Sequence, residues 1–222
     1  MTGPESRPTT PPDPAVVEVG GIDLAALTRR IAGLLEDRDR VIIGVTGTPG
    51  AGKSTLSTML AGVLTESMVV VPFDGFHLAN IVLEANGTRG RKGAIDTFDL
   101  GGFRALIRRL RANDEPVVYA PTFLREIEEP IASAVAVPQD VRIVLTEGNY
   151  LLEEEAALDG LLDEVWFLEV DDKVRLQRLV DRHVAFGKSP EDALAWATGT
   201  DEVNAERIRR SRPRADLVVR IG

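Results

Sequence analysis

The sequence predicts an α/β fold with a mostly parallel five-stranded sheet, helices on both faces and a helical lid. Short apolar runs alternate with longer stretches of helical periodicity, and this alternation is typical of βαβ units. The runs are nearly continuous, as strands buried on both faces require. The five predicted strands are Val41–Thr46, Met68–Pro72, Val141–Thr146, Val165–Val170 and Ala215–Ile221.

Helices are predicted before, between and after these strands, where apolar residues recur every three or four positions. They are expected at about residues 22–37, 53–66, 99–112, 171–186 and 190–210. No linker or internal repeat divides the chain, so residues 15–222 are predicted to form a single domain. Residues 1–14 hold five of the 13 prolines and almost nothing apolar, which predicts a disordered tail.

The composition restricts the classes of function. The chain has 26 Lys and Arg against 35 Asp and Glu, a net charge of −9, which argues against a nucleic acid or an anionic membrane as partner. It contains no cysteine and only two histidines, which excludes disulfides and thiolate metal sites and disfavours a His-rich one. No apolar run approaches the roughly 18 residues of a membrane span, and the start lacks a signal-peptide pattern. A cytoplasmic protein is expected.

A glycine-rich motif follows the first predicted strand directly and matches the pattern GxxxxGK[ST]. Its glycines would let backbone N–H groups surround a phosphate chain at a helix N-terminus. Lys53 would reach the β- and γ-phosphates, and the Ser54 hydroxyl would bind Mg²⁺. A structural Gly-rich turn is the alternative, but the strand–loop–helix context favours an ATP site in a P-loop NTPase three-layer sandwich. The motif residues expected to bind ATP are Gly47, Thr48, Pro49, Gly50, Ala51, Gly52, Lys53, Ser54 and Thr55.

Two carboxylates follow later strands of the predicted sheet. Asp74 comes just after the second strand, and Glu147 comes just after the third. The carboxyl ends of parallel strands meet at the crevice where α/β sheets bind ligands. Asp74 could there accept the proton of a substrate hydroxyl, unless it is only an Asp-Gly turn residue. Glu147 could hold Mg²⁺ with Ser54; a surface glutamate is the alternative.

The predicted lid, at about residues 171–190, carries three arginines at helical spacing. The guanidinium fork suits the spread charge of a transferring phosphoryl group. We therefore expect Arg178 and Arg182 to act in catalysis and Arg175 to bind the nucleotide. A solvated helix face paired with neighbouring aspartates is the alternative.

The connection between the second and third strands, residues 73–140, is longer than the sheet requires. Long connections in compact domains are usually functional, so the acceptor-binding insertion is placed there. Arg89, Arg91 and Lys92 form a cationic loop within it. This loop would suit a carboxylate or phosphate on the acceptor, although exposure to solvent or contact with ATP phosphates is equally compatible with it.

These motifs resemble the P-loop kinases that include pantothenate kinase, uridine kinase and phosphoribulokinase. The resemblance covers about residues 41–221 and is nearest to the pantothenate kinase branch and its small bacterial relatives, labelled nucleoside/nucleotide or fructose transport system kinases. The motifs that carry it are Gly47–Thr55, Asp74-Gly-Phe-His77, Arg91–Asp99, Tyr119-Ala-Pro-Thr-Phe123, Glu147-Gly-Asn-Tyr150 and the lid arginines.

The resemblance implies an ATP- and Mg²⁺-dependent kinase that phosphorylates a hydroxyl of a small metabolite. The acceptor would be pantothenate-, glycerate-, sugar- or nucleoside-like. It also implies Asp74 as the catalytic base, Glu147 as the acid of the metal site and Arg182 on the phosphates, and it is compatible with a homodimer. The expected substrate-binding residues are His77, Arg91, Lys92, Tyr119, Phe123 and Asn204.

Two departures argue against a ribonucleoside acceptor. Gly93 stands where uridine kinases carry an aspartate for the ribose hydroxyls. Leu124 follows Phe123 where they carry another aspartate, and the histidine that they carry beyond it is absent from the rest of the insertion. The alternative to a kinase belongs to a different class of function: an ATP-binding regulatory module without an acceptor substrate.

Overall fold

The computed structural model describes residues 15–19, 22–65 and 67–221. The predicted tail, residues 1–14, lies outside these described residues. The chain forms a parallel sheet of six strands and a separate antiparallel hairpin. The strands are β1 (Ala15–Val19), β2 (Val41–Gly47), β3 (Met68–Pro72), β4 (Val117–Leu124), β5 (Glu129–Pro138), β6 (Ile143–Glu147), β7 (Glu164–Val170) and β8 (Leu217–Ile221).

The strand order across the sheet is β1-β8-β7-β2-β6-β3, and β4 pairs with β5 in the hairpin. All five predicted strands are confirmed within two residues at each end. The sheet also has a sixth strand that the sequence pattern did not predict, β1, which lies parallel to β8 at one edge with Ala15 opposite Leu217. The centre of the sheet, β2 between β7 and β6, carries the glycine-rich loop at its carboxyl end.

The described residues form seven helices around the sheet. None of these helices is long and apolar enough to cross a bilayer. The predicted helix over residues 190–210 is in fact two. Gly199 separates them, and a methyl group there would lie 2.8 Å from the carbonyl oxygen of Ala195. The helices are α1 (Leu24–Leu34), α2 (Lys53–Val63), α3 (Asn80–Ala85), α4 (Leu100–Ala112), α5 (Asp172–Ala185), α6 (Pro190–Thr198) and α7 (Thr200–Ser211).

Helices cover both faces of the sheet, which gives the three-layer sandwich expected from the apolar runs. Successive residues of a strand point to opposite faces. On one face, Ile43 of β2 belongs to a core with Leu27 of α1 and Leu56 of α2. On the other, its neighbour Ile42 belongs to a core with Phe103 of α4. The strand is buried at every position. Both cores draw on its apolar residues, Val41, Ile42, Ile43 and Val45.

The insertion over residues 73–140 contains α3, α4 and the β4–β5 hairpin. The hairpin packs directly on the turn that follows β3. A methyl group at Gly75 would lie 2.5 Å from the carbonyl oxygen of Pro121, so only glycine permits this backbone contact. The contact places the hairpin beside Asp74, the residue before Gly75.

Candidate active site

The functional side chains meet where three neighbouring strands end. The glycine-rich loop leaves β2, Glu147 ends β6, and Asp74 follows β3 by two residues, and β6 lies between the other two strands. They open into a cleft of about 870 Å³, walled by the insertion on one side and by α5–α7 on the other. The cleft lies at the carboxyl edge of the sheet, the usual ligand position in open α/β folds.

The glycine-rich loop wraps the start of α2 and draws Lys53 into the protein. Lys53 Nζ donates hydrogen bonds to the carbonyl oxygens of Gly47, at 2.9 Å, and Thr48, at 3.2 Å. Burial lowers the pKa of Lys53 to about 8, although the nearby Glu147 carboxylate opposes the shift. A phosphate chain in the loop would supply the negative charge that this buried ammonium needs.

Ser54 and Glu147 face each other across the base of the cleft. The Ser54 hydroxyl donates a hydrogen bond of 3.1 Å to Glu147 Oε1. Burial raises the pKa of Glu147, and the neighbouring Asp74 carboxylate raises it further. A divalent cation would relieve that repulsion, and these two oxygens fit Mg²⁺, which one or two carboxylates and substrate phosphates commonly hold. The described residues contain no cluster of three His, Asp or Glu that would bind a metal without the nucleotide.

Asp74 lies between the base of the cleft and the hairpin. Its Oδ2 accepts a hydrogen bond of 3.1 Å from Arg125 Nη2. Its backbone carbonyl oxygen lies 2.7 Å from His77 Nδ1, and because a carbonyl can only accept, Nδ1 is the donor. Burial lowers the pKa of His77. The His77 ring packs against Phe98 and Phe123, with centroids 4.0 and 4.7 Å away.

Two lid arginines reach the cleft from α5. Both Arg178 and Arg182 line it, and Arg178 Nη1 is 3.5 Å from the point where a methyl group on Gly52 would lie. Burial lowers the pKa of Arg182, and Arg125 lowers it further. Neither arginine has an ion-pair partner among the residues that the structure describes, so both can take a phosphate.

Arg175 does not reach the cleft, although the sequence predicted it as a nucleotide ligand. Its side chain is 3% exposed, and its guanidinium pairs with Asp172 and Glu202 behind the glycine-rich loop. The reason is helical phase: Arg175 and Leu179 form the buried face of α5, whereas Arg178 and Arg182, one turn apart, face the cleft. A methyl group on Gly50 would lie 2.8 Å from the Arg175 carbonyl oxygen.

The predicted acceptor residues divide into two groups. His77, Lys92, Phe123 and Asn204 line the cleft. Two others do not. Arg91 turns away to Asp96, to which it donates two hydrogen bonds, one of 2.6 Å.

Tyr119 also points away from the cleft and is 54% exposed. Alternation along β4 explains its position, because its neighbours Val118 and Ala120 are the residues that turn into the core. Among the loop residues predicted to bind ATP, Pro49, Gly50, Gly52, Lys53, Ser54 and Thr55 line the cleft, whereas Gly47, Thr48 and Ala51 lie behind it.

Several cleft residues were not identified from the sequence. Arg125 lies just after the end of β4, in the turn of the hairpin, where no strand periodicity could point to it. The lid contributes others with no local signal: His183 Nε2 is 2.8 Å from Asp201 Oδ2, and Lys188 Nζ is 4.4 Å from the Trp196 ring centroid. The bend at Gly199 brings these groups to the wall. Also missed were Phe98, Asn149 and Glu128.

Comparison with known proteins places this cleft among kinases, although no family model matches the chain. A candidate uridine kinase of Schizosaccharomyces pombe is 31% identical over 207 residues, which cover 87% of this chain and 88% of the relative. A pantothenate kinase of Bradyrhizobium sp. is 28% identical over 233 residues, which cover 87% of this chain and 72% of the relative.

A solved structure extends the likeness to the fold. The crystal structure of a candidate fructose transport system kinase from Silicibacter sp. TM1040 superimposes with a TM-score of 0.81 at 39% identity, covering 89% of this chain and 99% of that one. These likenesses confirm an ATP-dependent phosphotransferase with an alcohol group as acceptor. The chain belongs to the P-loop kinases of the uridine kinase and pantothenate kinase superfamily.

Proposed function

We propose that this kinase uses Mg²⁺ and transfers the γ-phosphoryl group of ATP to a hydroxyl of a pantothenate-, glycerate-, sugar- or nucleoside-like metabolite. One observation carries the proposal: a single cleft brings together Lys53, the Ser54–Glu147 pair, Asp74 and the lid arginines. The glycine-rich loop marks the phosphate end, and the aromatic wall around His77 marks the acceptor end.

Each side chain has a role in the transfer. Lys53 and the backbone of the glycine-rich loop bind the β- and γ-phosphates. The acceptor oxygen attacks the γ-phosphorus, the bond from that phosphorus to the β,γ-bridging oxygen breaks, and ADP leaves. The hydroxyl proton passes to the Asp74 carboxylate. Arg178 and Arg182 stabilise charge on the transferring group.

Ser54 and Glu147 would hold Mg²⁺. When bound there, the ion would neutralise part of the charge on the phosphates. The two residues already lie within hydrogen-bond distance, so the protein holds them in position for a ligand they would share.

The lid would close over the reactants and exclude water, which would otherwise compete for the phosphoryl group. The segment consists of α5, the connection over residues 186–189 and the start of α6. Its inward face carries both unpaired arginines, so closure would bring charge stabilisation and water exclusion together. A cytoplasmic location and a homodimer stay predictions.

A ribonucleoside is the acceptor that the cleft supports least. Gly93 lines the cleft without a side chain, and its carbonyl oxygen accepts a hydrogen bond of 2.7 Å from the Tyr150 hydroxyl. No carboxylate is therefore available at this position for ribose hydroxyls.

The test is ADP release from ATP with pantothenate, D-glycerate, a set of sugars and a set of nucleosides, with Mg²⁺ and with excess chelator. We expect release to depend on one acceptor class and on Mg²⁺, and to disappear in Lys53→Met. Slow hydrolysis that no acceptor accelerates would contradict the proposal and support an ATP-binding regulatory module.

A further inference from the structure

The cleft carries a surplus of positive charge in an acidic protein. Seven cationic and four acidic side chains line it, whereas the whole chain has a net charge of −9. Three of the cations surround the phosphate end. The other four, Arg89, Lys92, Arg125 and Lys188, lie at the acceptor end, more than a neutral metabolite needs.

The four differ in how they are held. Arg89 forms an ion pair with Glu128 at 3.0 Å, and Lys92 Nζ donates a hydrogen bond of 2.6 Å to Asn80 Oδ1. Both cations are therefore held by other residues of the insertion. Lys188 lies against the Trp196 ring. The Arg125 guanidinium, within the described part of the chain, donates only to Asp74.

Arg125 and Lys92 both contact the Phe123 ring. The Arg125 guanidinium carbon is 5.9 Å from the ring centroid, and Lys92 Nζ is 5.0 Å from the same centroid. Burial lowers the pKa of Lys53 and of Arg182, and the charge of Arg125 across the cleft lowers both further. Like charges repel each other, and an anion bound at Arg125 would reduce this repulsion. Arg125 is 42% exposed in its side chain, so it has room to move.

The partner of Arg125 is the proposed catalytic base. The guanidinium occupies one of the two carboxylate oxygens of Asp74, Oδ2. This oxygen becomes free to accept a hydrogen bond from the acceptor hydroxyl once Arg125 has another partner. An anionic group on the acceptor is the one reactant feature that would supply such a partner at this position.

We propose that Arg125 selects acceptors that carry a carboxylate or phosphate near the reacting hydroxyl, and that this anion displaces Asp74 from the guanidinium. The inference rests on the proposed function. Arg125 Nη2 and Asp74 Oδ2 are 3.1 Å apart when paired, so the acceptor's hydroxyl and anion must be close enough in the same molecule to reach both groups. Without such an acceptor, Asp74 stays paired and activates water poorly.

The experiment compares acceptors that differ only in the anion: D-glycerate with glycerol, pantothenate with pantothenol, and fructose 6-phosphate with fructose. The first two pairs probe a carboxylate and the third a phosphate. We expect wild-type kcat/KM to favour the anionic member of at least one pair about 10- to 100-fold, the strength of a charge-assisted hydrogen bond. This comparison needs no variant.

Arg125→Gln should remove that preference by raising KM for the anionic acceptor and changing kcat/KM for its neutral partner less than about threefold. It should also increase acceptor-independent ATP hydrolysis several-fold, because Asp74 is then unpaired. Arg91→Gln is the matched control: Arg91 forms a similar carboxylate pair outside the cleft, so its variant should keep the wild-type preference and hydrolysis rate.

The outcomes separate this inference from the proposed function. A wild-type enzyme that prefers neutral acceptors, or an Arg125→Gln variant that keeps the preference, overturns the role of Arg125 and leaves the kinase assignment intact. If no acceptor accelerates ADP release, the proposed function fails and this inference fails with it.

Discussion

The two ends of the cleft are built in different ways. The phosphate end comes mainly from one continuous stretch, Gly47–Thr55, at the junction of β2 and α2. The acceptor end combines side chains from the β3–α4 region, the hairpin, the lid and α7. Its parts come from opposite walls of the cleft, so its shape depends on how the insertion and the lid are placed against the sheet.

The cations at the two ends also differ. Arg178 and Arg182 form no ion pair with the described residues, whereas Arg89 and Arg125 each pair with a carboxylate. An unpaired cation binds any strong anion, but a paired one binds only a ligand that can replace its partner. We therefore expect the phosphate end to supply affinity and the acceptor end to supply selectivity.

The largest effect should come from Asp74→Asn, which removes the proton acceptor between the two ends. We expect kcat to fall about 10²- to 10⁴-fold, the usual contribution of a general base. ATP binding, measured by calorimetry, should change less than threefold. Asp96→Asn, at a carboxylate that pairs with Arg91 outside the cleft, should keep wild-type kcat. Phosphoryl transfer retained in Asp74→Asn would refute its role as base.

The second-largest effect should come from Arg182→Gln, which tests whether the lid arginines stabilise the transferring phosphoryl group. We expect kcat to fall about 10²- to 10³-fold with an unchanged Tm. Arg175→Gln should instead lower Tm and leave kcat unchanged, because the buried Arg175 side chain pairs with Asp172 and Glu202.

The partners of Arg175 are partly exposed, so its loss should cost about 2 kcal/mol, equivalent to a fall in Tm of about 4–8 °C. Steady-state kinetics and thermal unfolding of both variants measure the two effects. If Arg175→Gln loses turnover at full stability, the division of α5 into a buried face and a cleft face is wrong.

The pH dependence of ATP binding tests the phosphate end alone. Burial places the pKa of Lys53 at about 8, below its usual range. Below this pH the ammonium is charged and binds phosphate, and above it the charge is lost. The Kd for ATP should therefore rise about tenfold between pH 7.5 and pH 9. Lys53→Met should bind weakly with a flat profile, and a flat wild-type profile would contradict the shift.

The smallest effect is expected at Lys92, which the sequence predicted, like Tyr119, to bind the acceptor substrate. Lys92 lines the cleft, whereas Tyr119 lies on the outer face of the hairpin. Lys92→Gln should raise the acceptor KM about fivefold and leave the ATP KM unchanged, because it removes one charge-assisted contact. Tyr119→Phe should alter neither. Equal effects of the two substitutions would show that the acceptor binds elsewhere.

The features that depend on nearby residues in the sequence, the strands and the side chains at their ends, could be predicted. The predicted bounds of β3 are those observed, and Lys53, Ser54, Asp74 and Glu147 all lie where strand ends meet. These positions follow from the connectivity of a parallel sheet, which fixes the edge at which each loop emerges.

The acceptor end could not be predicted in this way. Arg125 contacts Asp74 across 51 residues of sequence, and the contact depends on how the hairpin packs on Gly75. The bend at Gly199 needs tertiary packing to reveal it, because the flanking residues suit one continuous helix. A helical face also has to be placed against a neighbour before Arg175 can be distinguished from Arg178.

The charge surplus of the cleft has a consequence for turnover. Phosphoryl transfer leaves the acceptor more negative than it arrived, since the new phosphate carries about −1.5 to −2 charges at neutral pH. A cationic cleft therefore holds the product more firmly than the substrate. Product escape, rather than the chemical step, should limit the rate at low ionic strength, and added salt should speed it by screening the attraction.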